Sequence, residues 1–290
     1  MKKLIKHSIA VIMCLLSLLL CCCGEQQQEN RDRKEEQKSE EKVTQGLVME
    51  GRTDDGVTYQ YNKITAVLTV SGKTIKGADS MDDLEKIPWG KWRDEAKELV
   101  LEEGVECVTD RAFMDFRRLE RIVFPNTLRK IDNYAFYDSI REFKKLDLPD
   151  SLEEIGQCAL AQEYSYKGPE EIRLSKKLRS IGKEAFCSQS VIRITIPENV
   201  EMVGDKAFEG CTRMEIADIK ANNVKIGKEV FAECAELEKV VLNTKKIKEI
   251  GKNLFYNVFH DVNVFVPKEK VKEYQKMLSR SMYAKVKAMK

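Results

Sequence analysis

The sequence predicts a solenoid of stacked repeats, because an Ala-Phe-like pair recurs seven times along the chain. Successive pairs are separated by 23, 24, 26, 22, 23 and 24 residues. A unit of this length is one supersecondary element that cannot bury its own apolar side, so consecutive units must stack. The pairs are Ala112-Phe113, Ala135-Phe136, Ala159-Leu160, Ala185-Phe186, Ala207-Phe208, Val230-Phe231 and Leu254-Phe255.

Each unit is predicted to open with one short parallel strand. Apolar residues alternate with outward-facing ones, as at Ile194 and Ile196, which is typical of a half-buried strand. A proline then ends the strand at Pro125, Pro149 and Pro197, because proline has no amide hydrogen to donate. In five units a glycine lies three residues before the pair, which fits a tight backbone bend. These glycines are Gly156, Gly182, Gly204, Gly227 and Gly251.

The whole pattern resembles the BspA-like class of bacterial surface leucine-rich repeats. It reads Leu-x-x-Ile-x-x-Pro, then Leu-x-x-Ile-Gly-x-x-Ala-Phe-x-x-Cys, and it occurs in full or partial form seven times between Leu99 and Phe255. The resemblance implies a leucine-rich-repeat solenoid with one short strand per unit of about 23 residues. It also implies a β-hairpin-type N-terminal cap over residues 46–97, repeats over 98–266 and a C-terminal helical cap over 267–290. The units at Ile172 and Met214 depart from the pattern, with Ser175 and Lys220 in place of proline.

The first residues predict export. Three lysines precede an apolar run over residues 8–20 that is too short to span a bilayer comfortably, as in a signal peptide. The following Cys21-Cys22-Cys23 run resembles a bacterial lipoprotein box, in which the first mature residue is a lipid-bearing cysteine. Cys22 and Cys23 both fit this box, and Cys22 is preferred. The alternative is a cysteine run within an ordinary secretory signal.

A polar tether is predicted to follow the signal peptide. Residues 25–42 contain no aromatic or aliphatic side chain, so this segment cannot bury enough apolar area to fold. The predicted organisation is therefore a lipoprotein signal over residues 1–22 and a disordered tether over 23–45, which holds the solenoid off a membrane of the bacterial cell envelope. Both a periplasmic and a surface-exposed orientation are compatible with this arrangement.

Composition and motifs predict no catalytic, metal or nucleic-acid site. The 50 basic and 48 acidic residues are interspersed, apart from a basic stretch over residues 268–290. His260 is the only histidine after the signal, and we expect it to be an ordinary loop residue. Phosphate-binding, dinucleotide-binding and zinc-protease motifs are absent, so we expect no cofactor.

Five cysteines follow the signal region, and their odd number argues against a disulfide framework. Cys211 and Cys234 each lie three residues after the phenylalanine of their unit, which places them on adjacent turns. A bridge between them is conceivable. We expect instead a reduced ladder of small buried side chains, which is the usual behaviour of free cysteine in protein cores.

Two surfaces are candidates for partner binding. Outward residues of the strands form rows that include Arg173 and Arg193, but opposite charges within the rows also allow a solvated sheet that pairs with itself. The longest interval contains an insertion with Tyr164 and Tyr166. Insertions in solenoids map to loops on one face, and tyrosines there either contact a partner or fold back on the neighbouring unit.

These observations predict a binding protein rather than an enzyme. The first hypothesis is a lipid-anchored adhesion protein that presents its solenoid to a protein ligand on a host or neighbouring cell. The alternative is a carbohydrate- or envelope-associated scaffold without a foreign protein ligand. We expect the two tyrosines to contribute more to binding than the two arginines, because aromatic anchors dominate many interfaces.

Overall fold

The fold is described here by a computed structural model, which covers residues 47–289 except 165, 166 and 245. The predicted signal peptide, the candidate lipid-attachment residues Cys22 and Cys23, the whole predicted tether and Tyr166 lie outside the described residues. The compact unit extends from Glu50 to Lys290. Within the described ranges no helix has the length and apolar character of a membrane span.

The architecture is a parallel β-solenoid with a single α-helix among the described residues. The helix is α1 (Val271–Met277). In chain order the strands are β1 (Val48–Arg52), β2 (Thr58–Asn62), β3 (Val67–Ser71), β4 (Thr74–Ile75), β5 (Glu98–Leu101), β6 (Cys107–Val108), β7 (Arg121–Val123), β8 (Lys130–Ile131), β9 (Lys145–Asp147), β10 (Glu154–Ile155), β11 (Glu171–Arg173), β12 (Ser180–Ile181), β13 (Arg193–Ile196), β14 (Met202–Val203), β15 (Ile216–Ile219), β16 (Val224–Ile226), β17 (Lys239–Leu242), β18 (Ile247–Ile250), β19 (Val262–Val266) and β20 (Ala284–Ala288).

Each repeat contributes two strands, whereas the sequence predicted one. The predicted strands are the odd-numbered members from β5 to β19, which we call the first ladder. The short even-numbered strands from β4 to β18 form an uninterrupted second ladder. The first ladder is divided between β7 and β9, so that β1-β2-β3-β5-β7 form one sheet and β9-β11-β13-β15-β17-β19-β20 form another.

The N-terminal cap is a β-hairpin, as the resemblance implied. β2 and β3 pair antiparallel, and β3 then pairs parallel with β5, which joins the hairpin to the first repeat. The indole N–H of Trp89 donates to the carbonyl of Ala112 at 2.9 Å, and its ring stacks on Phe113 with centroids 5.8 Å apart. The cap therefore seals the end of the core with aromatic rings.

The C-terminal cap contains the implied helix and one further strand. α1 follows β19 and buries Tyr274, whose hydroxyl oxygen lies 2.8 Å from that of Thr244. The chain then returns as β20, which pairs parallel with β19 over five positions. β20 was not predicted, because its alternating Lys-Val-Lys segment has no proline or repeat motif beside it.

The core contains a column of stacked phenylalanines. Phe186 and Phe208 are parallel within 2° at a centroid distance of 5.3 Å, and Phe208 stacks on Phe231 at 5.8 Å. All three rings are fully buried. The column forms because equivalent positions of consecutive units lie above one another, which confirms the repeat register.

The glycines before the Ala-Phe-like pairs were predicted to form a tight bend, but in the structure they allow adjacent turns of backbone to approach closely. An added Cβ at Gly182 would lie 2.4 Å from the carbonyl carbon of Gly156 in the preceding unit. The left-handed residue of the bend lies two positions later, as at Glu184 with a φ of 55°. Glycine is needed because adjacent turns of backbone approach closely, and the bend itself uses residues with side chains.

The five cysteines of the described region are free thiols, as expected. The Cys211 thiol donates to the carbonyl of Phe186 at 3.2 Å, and the Cys234 thiol donates to that of Phe208 at the same distance. The hydroxyl of Ser139, at the equivalent position, donates to the carbonyl of Phe113 at 2.5 Å. This position of the repeat therefore takes a small donor that satisfies a buried carbonyl.

Candidate partner-binding surface

The outward side chains of the first ladder form the two rows that the sequence predicted, with an interruption between β7 and β9. Glu171 is opposite both Lys145 and Arg193, and Arg173 is opposite Asp147. The first row contains Val100, Val123, Asp147, Arg173, Thr195, Asp218 and Val241. The second row contains Glu98, Arg121, Lys145, Glu171, Arg193, Ile216 and Lys239. We call this surface the ladder face.

Part of the ladder face pairs with itself. The guanidinium of Arg173 contacts Asp147 at 3.2 Å and Asp150 at 2.7 Å. The ammonium of Lys145 lies 3.1 Å from the carboxylate of Glu171. These exposed pairs each contribute only about 0–1 kcal/mol of stability, but they occupy the charges of Arg173 and Glu171.

Arg193 differs from Arg173 in its ion pairing, although both side chains were predicted to lie on the outward side of the strands. Glu171 is a potential partner of Arg193 across the strands, but its carboxylate is taken by Lys145. Among the described residues, no ion pair of Arg193 is found. The guanidinium of Arg193 is therefore available on the ladder face.

A cleft opens on the ladder face between β11 and β13, and we call it the seam cleft. β11 is paired with β9 at three positions but with β13 only at Glu171 and Arg193, whereas β13 and β15 are paired at four positions. Ser175 replaces the expected proline, and its hydroxyl donates to the carbonyl of Asp150 in the preceding unit. β11 is thus attached to the preceding unit and separates from the following one.

The seam cleft has a volume of about 760 Å³ and contains both predicted arginines. Its aliphatic lining includes Ile172 and Leu174, which are 5% and 6% exposed, whereas the equivalent Ile194 and Ile196 of the next strand are fully buried. The opening of the seam therefore exposes a little of the core side of β11. Arg173 and Arg193, which the sequence placed in two separate rows, therefore line the same cleft.

The second candidate surface is the insertion over residues 161–169, which we call the tyrosine loop. Tyr164 is 50% exposed, and the guanidinium carbon of Arg141 lies 5.9 Å from its ring centroid. Arg141 also forms a bidentate ion pair with the fully buried Asp138 and contacts Glu163 at 3.3 Å. A charge network around the buried Asp138 therefore lies beside Tyr164.

Further hydrogen bonds hold the tyrosine loop on the next unit. The side-chain amide of Gln162 donates to that of Gln189 at 2.8 Å, and both residues are buried. The hydroxyl of Ser190 donates to the carbonyl of Lys167 at 2.7 Å. Gly168 has a φ of +109°, which is strained for a residue with a side chain. The described residues on both sides of positions 165 and 166 are therefore held in place by contacts with neighbouring units.

The sequence did not identify the residues that support the tyrosine loop. Asp138 and Gln189 are polar side chains that resemble ordinary loop residues in the sequence, yet both are fully buried. One weak signal exists, because Gln189 is at the position that carries a small donor in neighbouring units. Its amide donates to the carbonyl of Leu160, as the thiol of Cys211 donates to that of Phe186.

His260 lies in an exposed loop, where its Nε2 is 2.9 Å from the carbonyl oxygen of Ala235. Within the described ranges, no group of three or more histidine, cysteine or acidic residues is arranged to hold a metal ion. The geometry around His260 therefore offers a backbone contact and gives no support for nucleophilic chemistry.

The repeat geometry agrees with the sequence comparison. The chain matches the BspA type leucine-rich repeat region in six copies, over residues 92–168 and 162–281. This protein belongs to the BspA-type leucine-rich repeat family. The matched residues of the BspA-type chain extend from the end of the N-terminal cap to the C-terminal cap and contain both candidate surfaces.

Several solved structures are similar to this BspA-type protein at low sequence identity. The leucine-rich repeat protein of T. pallidum is 15% identical, with 82% of this chain and 97% of that chain covered and a TM-score of 0.43. A leucine-rich cell surface protein from Faecalibacterium prausnitzii A2-165 is 12% identical, with 83% and 96% covered and a TM-score of 0.36. The pneumococcal vaccine antigen PcpA is 12% identical, with 83% and 99% covered and a TM-score of 0.35. Curated proteins give no match to the chain.

Proposed function

We propose that this protein is an exported, lipid-anchored binding protein of the bacterial cell envelope, which presents its solenoid to a protein partner. The observation that carries the proposal is the tyrosine loop, an anchored insertion with exposed Tyr164 on an otherwise regular array. Membership of the BspA-type family supports a binding role, and the cysteine run at Cys22 and Cys23 supports lipid attachment.

The structure of the tyrosine loop suits it to binding. A loop that is already ordered loses less conformational entropy when a partner binds, which raises affinity without any new contact. The Asp138–Arg141 ion pair beside Tyr164 and the Gln162–Gln189 hydrogen bond hold the described part of the loop in this way. Tyr164 then offers a large amphipathic ring with a polar tip, the kind of side chain that dominates many protein interfaces.

Location and partner class can be tested on intact cells. Protease shaving should remove the folded region if the protein is exposed outside the cell, and survival of that region would place it inside the envelope. Binding to host or neighbouring-cell surface proteins should then be compared with binding to a glycan array. Binding to glycans alone, lost on changing Tyr164 and Tyr166, would favour the envelope scaffold.

The contribution of the tyrosine loop is a quantitative prediction. Changing Tyr164 and Tyr166 together to alanine should weaken partner binding by more than about 1 kcal/mol, because aromatic anchors carry much of the energy of an interface. Arg173→Ala or Arg193→Ala should weaken binding of the whole partner less than the tyrosine changes do, and their effect should vary with salt, since exposed charges are screened. Tyr256→Ala is a matched control, because Tyr256 is 56% exposed in a different repeat. If the arginine substitutions weakened binding strongly and the tyrosine substitutions did not, the binding site would be assigned to the ladder face instead.

A further inference from the structure

We infer that the seam cleft binds an extended acidic peptide segment, with a carboxylate on Arg193 and a neighbouring aliphatic side chain against Ile172 and Leu174. This inference rests on the proposed protein-binding function and gives its partner a specific chemistry. The seam cleft and the tyrosine loop are consecutive in the chain, because the loop ends at Pro169 and Glu170 already lines the cleft.

The charges around the cleft favour an anionic ligand. Among the described residues, Arg193 and Lys176 are lining cations for which no ion pair is found, whereas the lining carboxylates Glu170 and Glu171 are paired with Arg213 and Lys145. Glu198 is the remaining carboxylate of the lining. A planar guanidinium offers two parallel N–H donors to one carboxylate, so Arg193 is the better of the two cations for a specific contact.

The floor of the cleft favours an aliphatic side chain. Ile172, Leu174, Ile192 and Pro197 contribute apolar surface, and the lining contains no aromatic ring. The polar residues of the lining could bond to a sugar, but a hydroxyl-rich sugar has no aliphatic side chain to match this floor. A volume of about 760 Å³ is within the usual range of ligand sites, about 300–1,000 Å³. These properties favour a peptide over a glycan.

The separation of the strands favours a ligand with an extended main chain. β11 and β13 are paired at one position only, so beyond Glu171 and Arg193 the backbones of the two strands are not paired with each other. Extended peptides commonly bind along strands, with main-chain hydrogen bonds giving affinity and side-chain pockets giving specificity. The seam cleft supplies a pocket beside two strands whose mutual pairing stops after one position.

The test is a calorimetric titration of the full-length protein with capped tetrapeptides that alternate Asp or Glu with Leu, Ile or Val. The acidic peptides should bind, and their isosteres with Asn and Gln should bind at least about tenfold more weakly, because a guanidinium bonds more strongly to a carboxylate than to a neutral amide. Arg193→Gln should reduce the affinity for the acidic peptides by a similar factor. Thr195→Trp, which fills the cleft, should abolish binding of both sets.

Arg179→Gln is the matched control, since Arg179 is an exposed arginine next to the second ladder that pairs with Glu201. It should leave peptide affinity unchanged, and circular dichroism should show that every variant folds. No binding of the acidic peptides at millimolar concentration, equal binding of the neutral isosteres, or an unaltered affinity in Arg193→Gln would each overturn the inference. If the acidic peptides fail these tests but the change of Tyr164 and Tyr166 to alanine still reduces attachment to cells, the proposed binding function stands without the cleft. If the peptides fail and the tyrosine changes also leave attachment unaltered, both the cleft inference and the proposed binding function are rejected.

Discussion

Phe208 is the residue whose replacement tests the predicted core most directly. Its ring is fully buried between Phe186 and Phe231, at centroid distances of 5.3 and 5.8 Å. Phe208→Ala removes roughly 100–150 Å² of buried apolar area, or about 2.5–4 kcal/mol at about 25 cal/mol per Å². The two flanking rings belong to rigid turns and cannot close the gap, so the remaining cavity raises the expected loss to about 3–5 kcal/mol.

The loss should appear as a lower free energy of unfolding in urea and as a lower melting temperature. For a domain of this size, each kcal/mol corresponds to about 2–4 °C, so the expected decrease is about 6–20 °C. Phe259→Ala is a matched control, because Phe259 is 79% exposed and its loss should cost less than about 0.5 kcal/mol. A Phe208 variant that unfolds like this control would refute the stacked register of the repeats.

Three further predictions concern the anchor, the turns and the thiols. Replacing the cysteines of the N-terminal run, Cys21, Cys22 and Cys23, by alanine should abolish partitioning into detergent, and persistent partitioning would reject lipidation. Gly182→Ala should lower the free energy of unfolding by about 1–3 kcal/mol or more, because the added Cβ would collide with the backbone of the preceding turn. Gly90→Ala is the control, since its added Cβ would meet its nearest neighbour at 3.3 Å, and it should lower this free energy less. Urea titration measures both. Burial, assisted by a hydrogen bond to Glu184, raises the pKa of Cys158 from 9.0 to about 12, and burial raises that of Cys187 to about 11. Because the folded state favours the protonated thiols, their contribution to stability is intact below about pH 9 and is lost as the pH rises toward 12. The free energy of unfolding should therefore fall over this range. It should fall less in a variant that carries both Cys158→Ala and Cys187→Ala.

The repeat register was predictable because each unit makes the same local contacts as its neighbours. The Ala-Phe-like pairs therefore identify the buried column, and the register of the first ladder follows from aligning the strands. The second ladder was not predicted because its strands are mostly two residues long, which is too short to show an alternation of apolar and polar residues. β20 was not predicted because it belongs to no repeat, and its pairing with β19 is known only from the folded structure.

The candidate surfaces were predictable in position but not in their chemistry. The insertion was visible as the longest interval, and Tyr164 is indeed exposed on it. The sequence could not show that a buried Asp138 and Arg141 support this loop, because these residues come from the preceding unit. The tyrosine loop thus depends on contacts between residues more than twenty positions apart.

The sequence by itself determined the period, the stacking of units and the identity of the core, because in a solenoid the position within the repeat decides whether a side chain is buried. Only the tertiary structure decided how neighbouring units differ. Lys145 and Arg193 lie on either side of Glu171 and both are suitable partners for it, and the carboxylate pairs with Lys145. The hydroxyl of Ser175 ties β11 to the preceding unit, and the seam beside Arg193 opens. These outcomes depend on which of several chemically equivalent contacts the packed backbone brings within reach, and a linear pattern of residues does not contain those distances.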